Sequence, residues 1–307
     1  MSRQLAATAA AIALALVAAG CGLGAGPGTS DVTVDVTQAF GTRPIGHLTA
    51  HRVPGSETVI RMLERHFRVG TRYGGGFVQS IDGRAGSSSK LDWFYYVNGV
   101  EAPRGAATTA VHKGDRIWWD LHDWSATQST RAVVGSFPEP FLHGTDGKRL
   151  PVTLECAPDV SAACRKVSGE LRALRVPFAS QLIGAGSGTE SLALVVGTWR
   201  DLTPEVVAGV VDHGPAASGV YARFTDHGSS LALLDPDGHE VRRLQAGAGL
   251  VAATSQGSSP PTWLVTGTDA AGVSAAAAAL RPAALRDHFA LAVKGSAMLP
   301  VPQEAAR

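Results

Sequence analysis

A hydrolase needs a nucleophile, a base and an orienting group that converge. Three adjacent acid–histidine pairs, Asp212-His213, Asp226-His227 and Asp287-His288, are the residues here whose types could supply part of that set, with serine plentiful around them. Their surroundings point elsewhere. Asp212-His213-Gly214 and Asp226-His227-Gly228 have the composition of ordinary turns, and the sequence contains neither a Gly-x-Ser-x-Gly elbow nor His-Glu-x-x-His. His47 and His51 have the i, i+4 spacing of a helical metal pair, but Pro44, Gly46 and Pro54 argue against a helix there. The run Gly184-Ala185-Gly186-Ser187-Gly188-Thr189 resembles a phosphate-cradling loop, yet it precedes a strand pattern and lacks the following lysine. Arg61, Arg65, Arg68 and Arg72 form a basic stripe, answered by Glu57 and Glu64 four residues ahead of Arg61 and Arg68, so it reads as a solvated ion-paired face. The expectation is that the chain is not an enzyme.

The sequence carries a different instruction at its start. Arg3 precedes an Ala/Leu run from Leu5 to Ala19, which is the layout of an export signal and is shorter than the roughly 20 residues that span a bilayer. The run ends Leu16-Val17-Ala18-Ala19-Gly20-Cys21, small residues leading to a cysteine, which resembles a bacterial lipoprotein signal. Residues 1–20 are therefore expected to be removed, Cys21 to carry lipid, and residues 21–30 to form a flexible tether holding the folded body outside the membrane. The alternative is an ordinary signal cleaved near Ala19, with Cys21 incidental. Without Cys21 the chain has two cysteines, Cys156 and Cys164, which in an oxidising compartment are read as one short-loop disulfide contributing roughly 2 to 3 kcal/mol. A metal site at that pair lacks two further ligands nearby.

The 307 residues allow two compact domains and a tail. With 45% hydrophobic residues and 36 glycines in no periodic pattern, collagen, coiled coil and wholesale disorder are excluded. Lys and Arg number 27 against 26 Asp and Glu, so no bulk field draws nucleic acid or an anionic membrane. Residues 31–125 read as a small α+β domain. Val32, Val34 and Val36 alternate as a strand, and Val59, Ile60, Leu63 and Phe67 stripe a helix capped by Ser56 and closed at Gly70. Short strands follow at 77–81, 93–97 and 116–121, separated by Gly74-Gly75-Gly76, Asp82-Gly83, Asn98-Gly99 and Gly114-Asp115. Residues 126–149 read as a linker. Residues 150–301 read as a mixed α/β domain, with strands at 152–155, 192–196, 220–224, 231–234, 241–244 and 263–266. Its helices fall at 161–175, from Thr203-Pro204 to about 211, and at 272–280. Residues 302–307 are left as a tail, and the fold class is α+β overall.

The most informative stretch is Trp93-Phe94-Tyr95-Tyr96-Val97-Asn98-Gly99, followed by Gly105-Ala106 and Gly114-Asp115-Arg116-Ile117-Trp118-Trp119. By alternation Trp93, Tyr95, Ile117 and Trp119 share a face and are expected to be core. With Ser56-Glu57-Thr58-Val59 and Phe77-Val78-Gln79-Ser80-Ile81-Asp82-Gly83, this pattern resembles the bacterial domain family similar to the C-terminal domain of transcobalamin and intrinsic factor, over about residues 31–124. In the animal proteins of that family the small domain closes over cobalamin held by a larger helical domain, and bacterial relatives are often anchored outside the membrane. No helical α/α-barrel partner is found here, and no family is recognised in the chain from Leu150 onward. The resemblance implies a cell-surface lipoprotein that binds a small molecule, with a corrinoid as first choice, and passes it to an uptake transporter. Cobalamin would be cargo and not a catalytic cofactor. Tyr73 and Phe77 beside the triple-glycine loop, and His122 and Trp124 beyond the last strand, are the expected ligand contacts, His122 with the further option of a cobalt ligand. The rival reading is a structural or interaction module docking a protein or surface polymer.

Overall fold

The computed structural model describes residues 31–304 apart from 88, 89, 187, 189 and 258. The signal, Cys21 and the tether lie outside the described residues. The N-terminal unit contains β1 (Val32–Gln38), β2 (Arg43–Ala50), α1 (Val59–His66), β3 (Val69–Arg72), β4 (Phe77–Ile81), β5 (Arg84–Ala85), β6 (Leu91–Val97), β7 (Val100–Glu101) and β8 (Arg116–Asp123). Five strands form a sheet in the order β2-β1-β8-β6-β7, in which β1 and β8 run parallel and the other pairs antiparallel. Strands β3, β4 and β5 form a small separate sheet. Val32, Val34 and Val36 point with Trp93, Ile117, Trp119 and Leu121 into a core closed by Val59, Ile60 and Leu63 of α1. Trp93, Ile117 and Trp119 are thus core residues, with Tyr95 partly buried against them. The helix is shorter than its stripe. Thr58, not Ser56, occupies the N-cap position, and Phe67 is already extended, with its ring against Gly46 and the chain entering β3.

The C-terminal unit contains β9 (Val152–Cys156), α2 (Ser161–Ala173), β10 (Ala179–Leu182), β11 (Leu192–Thr198), α3 (Trp199–Leu202), α4 (Val206–Asp212), α5 (Pro215–Ser218), β12 (Ala222–Thr225), β13 (Ser230–Leu234), β14 (Glu240–Leu244) and β15 (Ala248–Thr254). It closes with β16 (Thr262–Gly267), α6 (Ala270–Ala279), α7 (Pro282–Leu285), β17 (Ala290–Lys294) and β18 (Ala297–Val301). Its main sheet runs β10-β9-β11-β16-β15-β17-β18, parallel from β10 to β16 and antiparallel thereafter. Both faces are buried. Leu194, Val196, Val251 and Val265 face α2 and α6, while Ala193, Val195, Leu250 and Leu264 face α3, α4 and the β12–β13–β14 hairpin sheet. The α+β class holds.

Several local expectations need correction. The expected helix at Thr203-Pro204 is two helices, because Thr198 and Asp201 form a capping box that starts α3 early and Pro204 falls between α3 and α4. The strands β2, β3, β5, β7, β10, β15, β17 and β18 have no counterpart in the sequence reading. Residues 126–149 are no exposed linker: Val133, Val134, Phe137 and Phe141 are at most 1% exposed, with Phe137 and Phe141 packed on Trp263. Nor do residues 302–304 hang free as a tail, since the amide of Gln303 donates to the Leu234 carbonyl at 2.9 Å. Cys156 and Cys164 are disulfide-bonded, tying the end of β9 to α2.

Candidate functional site

The polar centre of the molecule grows out of the alternation of β8. Its odd-numbered residues enter the N-terminal core, so Trp118, Asp120 and His122 must face the other way, toward the C-terminal unit. Asp120 is 0% exposed and accepts from four donors: the Thr37 hydroxyl at 2.5 Å, the Gly41 amide at 2.9 Å, the Phe40 amide at 3.0 Å and Nδ1 of His122 at 2.9 Å. Trp118 Nε1 donates in turn to Thr37 Oγ1 at 2.8 Å. A carboxylate surrounded by donors assigns the proton to Nδ1 and leaves Nε2 of His122 as the ring nitrogen without one. No hydrogen bond to Nε2 is found among the described residues. The imidazole is also gripped by its neighbours. It stacks on Phe94 at 4.4 Å, Phe40 lies tilted against it at 4.6 Å, and Phe289 of the C-terminal unit meets it edge-on at 5.1 Å.

His122 forms part of the wall of a cavity of about 520 Å³ at the junction of the two units. Gln38, Phe40, Leu91 and Leu121 line one side, and Pro236, Pro300, Pro302 and Gln303 the other. This is an apolar lining with a few polar groups, of a size that suits a small ligand. A second, more polar cavity of about 700 Å³ lies at the opposite edge, between β7 and the Ser255–Pro261 segment. There Ser129 Oγ donates to Glu101 at 2.5 Å, and burial pushes the Glu101 carboxyl above its ordinary value. Arg104 pairs with Asp146 at 2.6 Å, and Arg131 donates to the Gly257 carbonyl, so the charges of that cavity are largely engaged within the protein.

The four ligand contacts expected from the sequence are not brought together. His122 lines the first cavity; Tyr73, Phe77 and Trp124 line neither. Tyr73 and Phe77 stand exposed at the β3–β4 turn, and Trp124 is half-buried with Nε1 on Asp92 at 3.0 Å. Loop position alone did not separate the turns that line the cavity, at Ala39, Phe40, Thr42, Pro236 and Pro302, from those that do not. His122, expected beyond the last strand, lies within β8 and is 3% exposed. The residues missed were Asp120, Phe40 and Phe289. Asp120 was findable, since Asp-x-His on a strand places both side chains on one face; Phe40 and Phe289 carry no local signal.

The other motifs serve structure. His47 lies on β2 and pairs with Asp35 at 2.7 Å, and Arg286 reaches the same carboxylate at 3.2 Å. His213 sits on the Gly209 carbonyl, His227 takes a positive φ of 56° in a turn, and His288 is mostly buried, which pushes its pKa down. Asp235, Asp237 and His239 approach within 4.8 Å, but Asp235 already accepts the amides of Asp237 and His239, a self-bonded turn. The Gly184–Thr189 run connects β10 to β11 and opens no helix, with 187 and 189 outside the described residues.

Residues 56–123, less than half of the chain, match a family described as Domain of unknown function (DUF4430). The match runs from just before α1 through β8 and therefore contains Asp120 and His122. No curated protein matches the chain. One solved structure, described as that of a candidate metal-binding protein from Ruminococcus gnavus, is 16% identical; the likeness covers 31% of this chain and 97% of that one, with a TM-score of 0.24.

Proposed function

We propose that this protein binds a small molecule, without catalysis, in the junction cavity beside His122. The observation that carries the reading is the fixed imidazole: Asp120 sets its tautomer, three phenyl rings set its plane, and it stands at the wall of an apolar cavity shared by both units.

The finer reading is a corrinoid carried outside the membrane by a lipoprotein anchored at Cys21 and handed to an uptake transporter. Its support is the resemblance of residues 31–124, the export and lipobox pattern, and a disulfide suited to an oxidising compartment. An imidazole with its other nitrogen on a carboxylate is also the kind of ligand that cobalt takes.

The test is titration of residues 31–307 with aquocobalamin, following the corrin absorption and tryptophan fluorescence. Replacement of the cobalt-bound water by His122 shifts the corrin bands, and His122→Ala abolishes the shift. Quenching without a band shift would remove the cobalt contact and keep the cavity. Neither signal at micromolar ligand would end the corrinoid reading.

A further inference from the structure

The β3–β4 hairpin presents side chains that neither the junction cavity nor any core uses. Tyr73 is 87% exposed and Phe77 37% exposed, one on each side of Gly74-Gly75-Gly76, while Val78 and Ile81 of the same hairpin are buried. Tyr73 adopts a φ of 52°, a left-handed conformation that bulky residues seldom take. Two aromatic rings held out into water at a turn tip call for a partner.

The charge around them is one-sided. Residues 56–90 contain six Arg and Lys residues against three acidic ones, in a chain whose net charge is +1. Of the three, Glu57 is buried and pairs with Arg65 at 3.0 Å, and Asp82 lies 3.8 Å from Arg68. Arg72 stands at the tip, its Nε donating to Gln79 at 2.6 Å. Arg68 and Arg84 stand at the other end of the same small sheet, about 13 Å away by strand rise. All three are exposed.

We propose that this hairpin is a membrane-docking element whose partner is an anionic phospholipid surface. Tyrosine and phenylalanine rings settle at headgroup depth, where one end is apolar and the other wet. Guanidinium groups beside them meet lipid phosphates, each cation near such a surface adding about fivefold in affinity. A soluble polyanion would engage the arginines but has no apolar layer to receive the rings. The chain ahead of β1 favours the same partner. If Cys21 carries lipid, as the sequence pattern implies, the folded body is held at a bilayer. The hairpin's own affinity does not depend on that anchor or on the cavity reading.

Residues 31–307 retain every described strand and helix and lack the apolar leader, so they suit the test. Sedimentation with vesicles of phosphatidylcholine alone is compared with vesicles that also contain phosphatidylglycerol, at low and high salt. Binding is expected only to the anionic vesicles and weakens with salt. Arg68→Glu with Arg72→Glu lowers the partition coefficient by at least about tenfold, and Tyr73→Ser with Phe77→Ser lowers it about threefold or more, with circular dichroism unchanged because all four side chains are exposed. Equal binding to both vesicles, no binding to either, or undiminished binding by the arginine double variant overturns the proposal. So does retention on soluble polyglycerol phosphate without vesicle binding, which assigns the patch to a polymer.

Discussion

Asp120 ties β8 to the end of β1 and the turn after it by accepting four hydrogen bonds while fully buried. Asp120→Asn replaces one acceptor oxygen by an NH2 group that must face donors already aimed at it. The expected loss is about 2 to 3 kcal/mol in urea unfolding, the cost of leaving buried donors unpaired; an unchanged midpoint would show that those contacts do not form. Glu101 gives a prediction of opposite sign. Burial raises its carboxyl, so the folded state holds that proton more tightly than the unfolded state. Stability is therefore lost as pH rises from the ordinary value of 4.5 through the raised one. Asp115, Glu139 and Asp287, raised chiefly by burial, act the same way. His288, lowered by burial, does the reverse, and its contribution is lost as pH falls from 6.5 through its lowered value. Glu101→Gln keeps the acceptor for Ser129 and removes the charge, so Tm should rise at neutral pH and match the parent below 4.5. An equal change in both ranges would contradict the burial argument.

At the scale of elements, α6 owes its position to missing side chains. A Cβ on Gly272 would stand 2.0 Å from the Ala248 carbonyl, and one on Gly249 would stand 2.2 Å from the Gly272 carbonyl. Gly272→Ala is therefore expected to cost at least about 1 to 3 kcal/mol, although alanine is the better helix former, because the backbone of β15 blocks it; chemical denaturation measures it. The disulfide joining β9 to α2 closes a short loop, so Cys164→Ala should lower stability by about 2 to 3 kcal/mol, read in the same way. These elements also show where sequence reading stops. β1, β6, β8, β11 and β16 were legible because valines, leucines and aromatics alternate or cluster between turn residues. β15 has Gly249 and Ala253 on the face toward α6 and Ala248 and Ala252 on the other, and such small residues leave no strand signature. β18 contains Pro300 and pairs only with β17 at the sheet edge, where a missing amide is tolerated. The site was half visible for the same reason. His122 drew notice as a chemical type, whereas Phe40 and Phe289, more than 240 residues apart in the chain, meet only through the fold.

At the scale of the whole molecule, the central core belongs to both units. Phe40, Tyr96 and Trp118 from the N-terminal side join Val195, Tyr221, Leu250 and Phe289 from the C-terminal side in one buried cluster. Phe289 touches four rings across the junction: Phe40 at 5.1 Å, His122 at 5.1 Å, Trp118 at 5.2 Å and Tyr96 at 5.6 Å. Gly41 makes the fit tight from the other side, since a Cβ there would lie 1.8 Å from the Asp287 carbonyl. Truncating Phe289 to alanine removes contacts on both sides at once, and the expected cost is about 3 to 5 kcal/mol. If the units depend on each other through this core, calorimetry shows one transition in the parent and one, at lower temperature, in Phe289→Ala, with near-ultraviolet and far-ultraviolet dichroism lost together. Independent units would give two transitions, only one of them moved by the substitution. The same coupling governs any ligand of the junction cavity, because a molecule touching both Leu121 and Pro302 binds only when the units are docked. At a hundred times its Kd such a ligand should raise the stability of the entire chain by about 2.7 kcal/mol, and in Phe289→Ala the loss of docking should weaken its binding along with the fold.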